Sequence, residues 1–248
     1  MPQRPRDATI RHGLARVLSK RGICSRSEAA RWIVAGRVSV AGRIVRDPEF
    51  PTSARADVGL DGRPLPQVAP VCLMLNKPRG LVTSASDERG RDTVYRCFDG
   101  AGLPWISPVG RLDQASEGLL LFSNDPQWAA RVTDPGSGPD KTYHVQVDTI
   151  PDAGLLAALV AGLDDDGELL HAKSVRLLRA GTRNAWLEIV LDEGRNRQIR
   201  RLLAAFDVGV LRLLRVAIGG LALGTLPKGH WRLLADPEIA SLARPSRR

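Results

Sequence analysis

Two heptapeptides in the middle of the chain alternate in pattern, the first of them cleanly. KTYHVQV (Lys141–Val147) puts Tyr143, Val145 and Val147 on one side, and AWLEIVL (Ala185–Leu191) has the same period of two. That period is the mark of strands buried on one face. Between them PDAGLLAALVAG reads as a helix opened by Asp152. After them NRQIRRLLAAF places Ile199, Leu202, Leu203 and Phe206 on one helix face. VCLMLNK is an apolar strand ending before Pro78, and LRLLRVAIG and HWRLL supply closing strands. Residues 79–109 are rich in turn formers and read as loops. Strands with a few helices and no regular βαβ repeat predict a mixed α+β sheet domain over residues 71–236.

The N-terminal pattern is different. LARVLSKRG is a short helix stopped by Gly22, and AARWIVAG is a second helix ended by Gly36. Ser25 and Glu28 stand as a capping box at the start of the second helix. RVSV and RIV form two short strands around an Ala41-Gly42 turn, and ADVGLDG adds a last strand. The reading is a flexible basic arm at 1–10, a small domain at 11–66, a linker at 67–70 and a tail at 237–248.

Charge sharpens this division. The 248 residues carry a formal net charge of +9. Residues 1–70 hold 13 Lys and Arg against 6 Asp and Glu, and the remainder holds 23 against 21. A basic module joined to a nearly balanced body is the footprint of a polyanion-binding protein. The three cysteines (Cys24, Cys72, Cys97) have no C-x-x-C spacing and an odd count, which fits reduced thiols in a cytoplasmic protein. The four histidines are scattered, so no zinc site is visible. No apolar run approaches the roughly 20 residues of a membrane span.

The basic module carries a specific pattern, LSKRGICSRSEAARWIVAGRVSVAG from Leu18 to Gly42. It resembles the S4 RNA-binding domain, departing at Ala41, where that family usually has Asn. Arg16, Lys20, Arg21, Arg26, Arg31 and Arg37 stud the unit. The resemblance implies that they meet RNA phosphates.

Three segments of the larger domain carry candidate chemistry. The first is GRLDQASEGLLL (Gly110–Leu121), in which Asp113 lies between a loop and an apolar run. The second is Lys141-Thr142-Tyr143 at the start of a strand. The third is EGRNRQIRRL (Glu193–Leu202), with four arginines at a helix start and Asn196 placed to cap it. Each alone has a plainer reading. Asp113 is then a turn residue or cap, Tyr143 a core aromatic, and the arginines a solvated helix face. Together, in order, and with NKPRG (Asn76–Gly80) and LGTLPKGHWRL near the end, they resemble the pseudouridine synthases of the S4-bearing ribosomal branch.

That resemblance implies an isomerase that turns a uridine of ribosomal RNA into pseudouridine. Asp113 matches the essential aspartate, Tyr143 the aromatic that stacks on uracil, and Arg200 the basic partner of the aspartate. Arg111 matches an arginine that helps turn the nucleotide out, and Arg195, Arg197 and Arg201 are expected on the RNA backbone. The reaction breaks the N1–C1′ bond, turns the uracil and joins C5 to C1′. The carboxylate meets either C1′, as in glycoside cleavage, or C6 of the ring. A cation at Arg200 favours the ionised carboxylate that both routes use. The expectation is a monomer without metal or cofactor, with Asp113 buried beside Arg200 and facing Tyr143 across a basic cleft. The competing readings are a non-catalytic RNA-binding or ribosome-assembly factor, and the same chemistry on transfer RNA.

Overall fold

The computed structural model describes residues 11–244; the basic arm at 1–10 lies outside them. The chain divides into two compact units, 1–71 with the short segments 102–107 and 124–126, and the rest.

In the first unit, helices α1 (Leu14–Lys20) and α2 (Arg26–Val34) pack together over a small sheet. Ser25 accepts a hydrogen bond from the Glu28 amide at 3.1 Å, one half of the expected capping box. Strands β1 (Val38–Val40), β2 (Arg43–Ile44), β3 (Val58–Leu60) and β4 (Arg63–Pro64) pair antiparallel in the order β2-β1-β3-β4. The β1–β2 turn places Ala41 at φ 47° and Gly42 at φ 76°. Two successive left-handed residues suit a tight hairpin. Ala41 bears the steric cost there that an Asn bears more easily. Leu14, Leu18, Ala29, Ile33, Val38 and Val58 close a core of their own.

The second unit is built on one large sheet. Its strands are β5 (Cys72–Lys77), β6 (Glu117–Ser123), β7 (Lys141–Val147), β8 (Ser174–Ala180), β9 (Ala185–Leu191), β10 (Val210–Ile218) and β11 (Trp231–Leu233). They run in the order β8-β9-β7-β10-β6-β5-β11, with short strands adding to β10 and β6. All neighbours along this path are antiparallel except β10 and β6. Helices α3 (Pro126–Thr133), α4 (Ala153–Ala161), α5 (Gln198–Ala204) and α6 (Asp236–Leu242) complete the unit. The mixed α+β class therefore stands.

The alternation of β7 and β9 orders their faces. Tyr143, Val145, Val147, Leu187 and Ile189 are buried, whereas Thr142, His144, Gln146, Trp186 and Glu188 are partly exposed. Ile199, Leu202 and Leu203 bury the inner stripe of α5, each worth about 1.5–3 kcal/mol. Phe206, expected on that stripe, follows the helix and is only partly buried.

Further differences from the sequence reading concern the ends of elements. Residues 237–242, expected within a tail, belong to α6. Its Leu242 is buried, and the Ile239 carbonyl accepts a hydrogen bond from the Trp128 indole at 3.0 Å. Residues 245–248 lie outside the described residues. Strand β8 and helix α3 were not foreseen.

A candidate active site beneath an aspartate loop

The loop that carries Asp113 connects to β6 and is held from beneath by the segment that follows β5. Thr83 donates its hydroxyl to the Leu112 carbonyl at 2.7 Å. Gly80 and Gln114 exchange two hydrogen bonds of 2.8 and 3.0 Å. Between them Lys77, fully buried, donates its ammonium to the carbonyls of Asp113 (3.2 Å), Ser116 (2.8 Å) and Pro78 (3.1 Å). Among the described residues no carboxylate bonds this ammonium, and burial pushes its pKa down to about 8. A buried cation satisfied by carbonyl dipoles alone fixes the positions of those carbonyls. The loop then enters β6 at Gly118 (φ 102°), where any side chain would collide with the Arg215 backbone. Gly118 thus permits the close parallel contact of β6 with β10.

Asp113 lines a cavity of about 580 Å³ together with Arg111, Lys141, Tyr143, Arg197, Arg200, Leu213 and Arg215. Tyr143 and Arg215 are direct partners across β7 and β10. Tyr143 is 8% exposed, enough to present part of its ring to the cavity. Arg111 is exposed and has no hydrogen-bond or ion-pair partner among the described residues.

The nearest cation to the carboxylate is Arg197, with Nη1 3.4 Å from Asp113 Oδ2. Its residue sits at the start of α5 in the left-handed region (φ 50°, ψ 29°) and makes no side-chain cap. The expected cap, Asn196, is exposed and outside the helix. A left-handed arginine is uncommon, and such strain gathers at functional sites. The pair is open to water, with side chains 52% and 36% exposed, so its worth in stability is well under about 1 kcal/mol. It organises the site more than it stabilises the fold.

Arg200 differs from expectation. Its guanidinium reaches the carbonyls of Ala115 (3.4 Å) and Val210 (3.5 Å) and makes no ion pair with Asp113. Burial and the charge of Arg197 lower its pKa, while Asp113 opposes that shift, so the carboxylate is within electrostatic reach. One helical turn separates the two arginines, and Arg197 has the position nearer the carboxylate. Asp113 is likewise not buried; its side chain stands at the cavity wall.

Two expected RNA contacts on α5 and its approach are engaged internally. Arg201 bonds Asp165 at 2.6 Å and Glu168 at 2.7 Å, and Arg195 bonds Glu193 at 2.8 Å. In the first unit Arg21 is tied to the Ala54 and Ala56 carbonyls and Arg37 to Asp61 at 2.6 Å. Lys20 lies 3.1 Å from His12, and Arg26 is 3.9 Å from Glu49. Arg16 and Arg31 are exposed and unpaired among the described residues. Of the six cations expected on RNA in this unit, those left without a close partner among the described residues are Arg16, Arg31 and, more loosely, Arg26. Lys77 was missed as a site residue, although it lies in the NKPRG stretch that the family resemblance had marked.

A sheet cleft holding an aspartate loop before β6, an aromatic on β7 two strands across and arginines on the helix after β9 defines a class, and the chain's relatives bear this out. Residues 71–205 match the RNA pseudouridylate synthase family and residues 13–56 match the S4 domain. The chain belongs to the RNA pseudouridylate synthases and is a pseudouridine synthase with an S4 domain at its N-terminal side. It is 34% identical over 224 residues to an uncharacterized RNA pseudouridine synthase of Rickettsia prowazekii, covering 90% of this chain and 94% of that one. It is 33% identical over 232 residues to the ribosomal large subunit pseudouridine synthase B of Bacillus subtilis, covering 92% and 94%. A crystal structure of a pseudouridylate synthase superposes with a TM-score of 0.64 at 31% identity, covering 93% of this chain and 99% of that one.

Proposed function

We propose that this enzyme isomerises a specific uridine of ribosomal RNA and that Asp113 is its catalytic nucleophile. The observation that carries the proposal is the shared cavity. Asp113, Tyr143, Arg197 and Arg200 all face one space large enough for a nucleotide base. The Bacillus subtilis relative, named for the large ribosomal subunit, supports a ribosomal substrate.

In this reading the target nucleotide leaves its stack and enters the cavity beside Arg111, at a cost of a few kcal/mol. Tyr143 stacks on the uracil, holding the base while leaving it free to turn in its own plane. Arg197, at contact distance, and Arg200, bonded to the Ala115 carbonyl of the same loop, set positive charge beside the Asp113 carboxylate. Lys77 holds the Asp113 backbone in place. The carboxylate then meets the sugar or the ring as the N1–C1′ bond is exchanged for C5–C1′. Pseudouridine mapping of ribosomal RNA from a deletion strain against wild type tests the proposal. One missing pseudouridine, restored in vitro by the purified enzyme, is the expected result. Loss confined to transfer RNA would replace the ribosomal substrate.

The S4 domain is proposed to supply RNA affinity through its free cations. Joint substitution of Arg16, Arg26 and Arg31 by Gln is expected to lower the slope of log affinity against log salt by roughly 2–3, since each lost phosphate contact removes about 0.7–0.9. Turnover at saturating RNA should be unchanged. A slope equal to wild type in binding titrations would remove this role.

A further inference from the structure

Four cations of the cavity, Arg111, Lys141, Arg200 and Arg215, make no ion pair among the described residues, and Lys141 and Arg215 lie on the two paired strands that carry and face Tyr143. Arg215 is only 5% exposed, yet it bonds no carboxylate among the described residues. Its Nε donates to the Leu119 carbonyl at 2.7 Å, and its Nη2 is buried with no hydrogen-bond partner. Lys141 is half-buried, two residues before Tyr143, and its side chain makes no hydrogen bond or ion pair among the described residues. Three carboxylates act on it through charge alone, Asp140, Asp192 and Glu193, and two of them are engaged elsewhere. Asp140 is held by Lys173 at 2.7 Å, and Glu193 by Arg195 at 2.8 Å. Both Lys141 and Arg215 line the cavity with Asp113 and Tyr143. Leaving a buried guanidinium nitrogen unpaired is unfavourable, because it loses water and gains no partner. Such a group persists where a ligand completes it.

Resting on the pseudouridine synthase reading, we infer that Lys141 and Arg215 bind the uracil itself and stabilise the negative charge it carries once detached. When the N1–C1′ bond opens, its electron pair stays on the base, and the charge is shared among N1, O2 and O4. The pair returns through C5 as that atom bonds C1′; C5 then loses its proton and N1 gains one. Asp113 meets the positive charge at the sugar, and the two cations meet the opposite charge on the base. This division explains why Arg215 is set across the strand from Tyr143. The residue that holds the face of the ring and the residue that meets its edge are neighbours. Electrostatic groups placed where charge develops are among the largest contributors to rate. Burial and the charge of Arg215 lower the Lys141 pKa, and the nearby carboxylates Asp140, Asp192 and Glu193 oppose that shift.

The test uses ribosomal RNA transcripts made with uridine or with 5-fluorouridine, whose base is the stronger acid and the better leaving group. The readout is the single-turnover rate at which the target nucleotide is consumed, followed by mass spectrometry of nuclease digests. Lys141→Met is expected to slow uridine RNA by about 10²-fold and 5-fluorouridine RNA by less than about tenfold, with RNA affinity within about twofold of wild type. Lys141 is partly exposed, so the variant should fold, and thermal melting checks that it does. Lys141→Gln should repeat the pattern. Equal slowing on both RNAs, or no slowing, would overturn the inference. So would a loss of affinity with an unchanged rate at saturation, which marks a phosphate contact instead. Wild-type enzyme that consumes no uridine in any ribosomal transcript would remove the function reading itself, a different outcome from an active wild type with an equally active variant.

Discussion

Asp113→Asn is expected to abolish pseudouridine formation while leaving RNA affinity within about twofold of wild type. The substitution keeps the side chain's shape and removes its charge and nucleophilicity. A loss of at least about 10³-fold follows, the scale for a single group that meets charge in a transition state. The protein should remain folded. The Asp113–Arg197 pair lies in water, and the loop is held through backbone atoms by Lys77, Thr83 and Gly80. Incubation of the variant with ribosomal RNA, followed by quantitative pseudouridine analysis, gives the answer. Product at more than about a hundredth of the wild-type rate would move the nucleophile elsewhere.

Lys77→Met is expected to have the largest effect on stability, and an effect that depends on pH. The substitution leaves the Asp113, Ser116 and Pro78 carbonyls without this donor, at about 1–3 kcal/mol for each that finds no water. The buried ammonium also carries a cost of its own. Its pKa is about 8 in the folded protein, against 10.5 for an ordinary lysine. Below pH 8 both states hold the proton, and the fold bears the full cost of burying the charge. Between pH 8 and 10.5 only the unfolded chain holds it, so this group makes stability rise with pH by up to roughly 3 kcal/mol. Wild type should therefore gain on the variant over that window, and urea midpoints from pH 7.5 to 10 measure it. A constant difference between the two proteins would contradict a charged, carbonyl-bound Lys77. Turnover should fall by up to about 10²-fold, because a displacement near 1 Å of a reacting group costs that much.

The sequence made much of this architecture legible, and the reasons for the gaps are physical. Strands β7 and β9 bury one face and wet the other, so their composition displays the fold. Strand β8 lies at the edge of the sheet and is largely exposed on both faces; SVRLLRA therefore shows no alternation to read. Helix α6 buries fully only Leu242, too little for a periodic signal. At the site, the loop, the aromatic and the basic helix were readable as segments. Which arginine touches Asp113 was not. Arg197 and Arg200 are three residues apart, and the choice depends on a left-handed turn at 197. The engagement of Arg201 was equally hidden, because Asp165 and Glu168 lie more than 30 residues away in the chain. Lys77 ends an apolar strand, where a lysine normally reaches for water. Only the depth of the loop around it reveals an internal donor.

The backbone of Arg197 narrows what substitution can do at this position. Asn, Asp and Gly adopt the left-handed conformation more readily, and none of them carries a positive charge. His shares some of that tolerance, but its charge comes and goes near neutral pH. Lys keeps the charge and gains nothing in backbone comfort. A variant selected only for thermal endurance would drift here toward Gly, and one selected only for turnover would keep Arg. The residue found at 197 in any descendant of this chain is thus a record of which of the two demands prevailed.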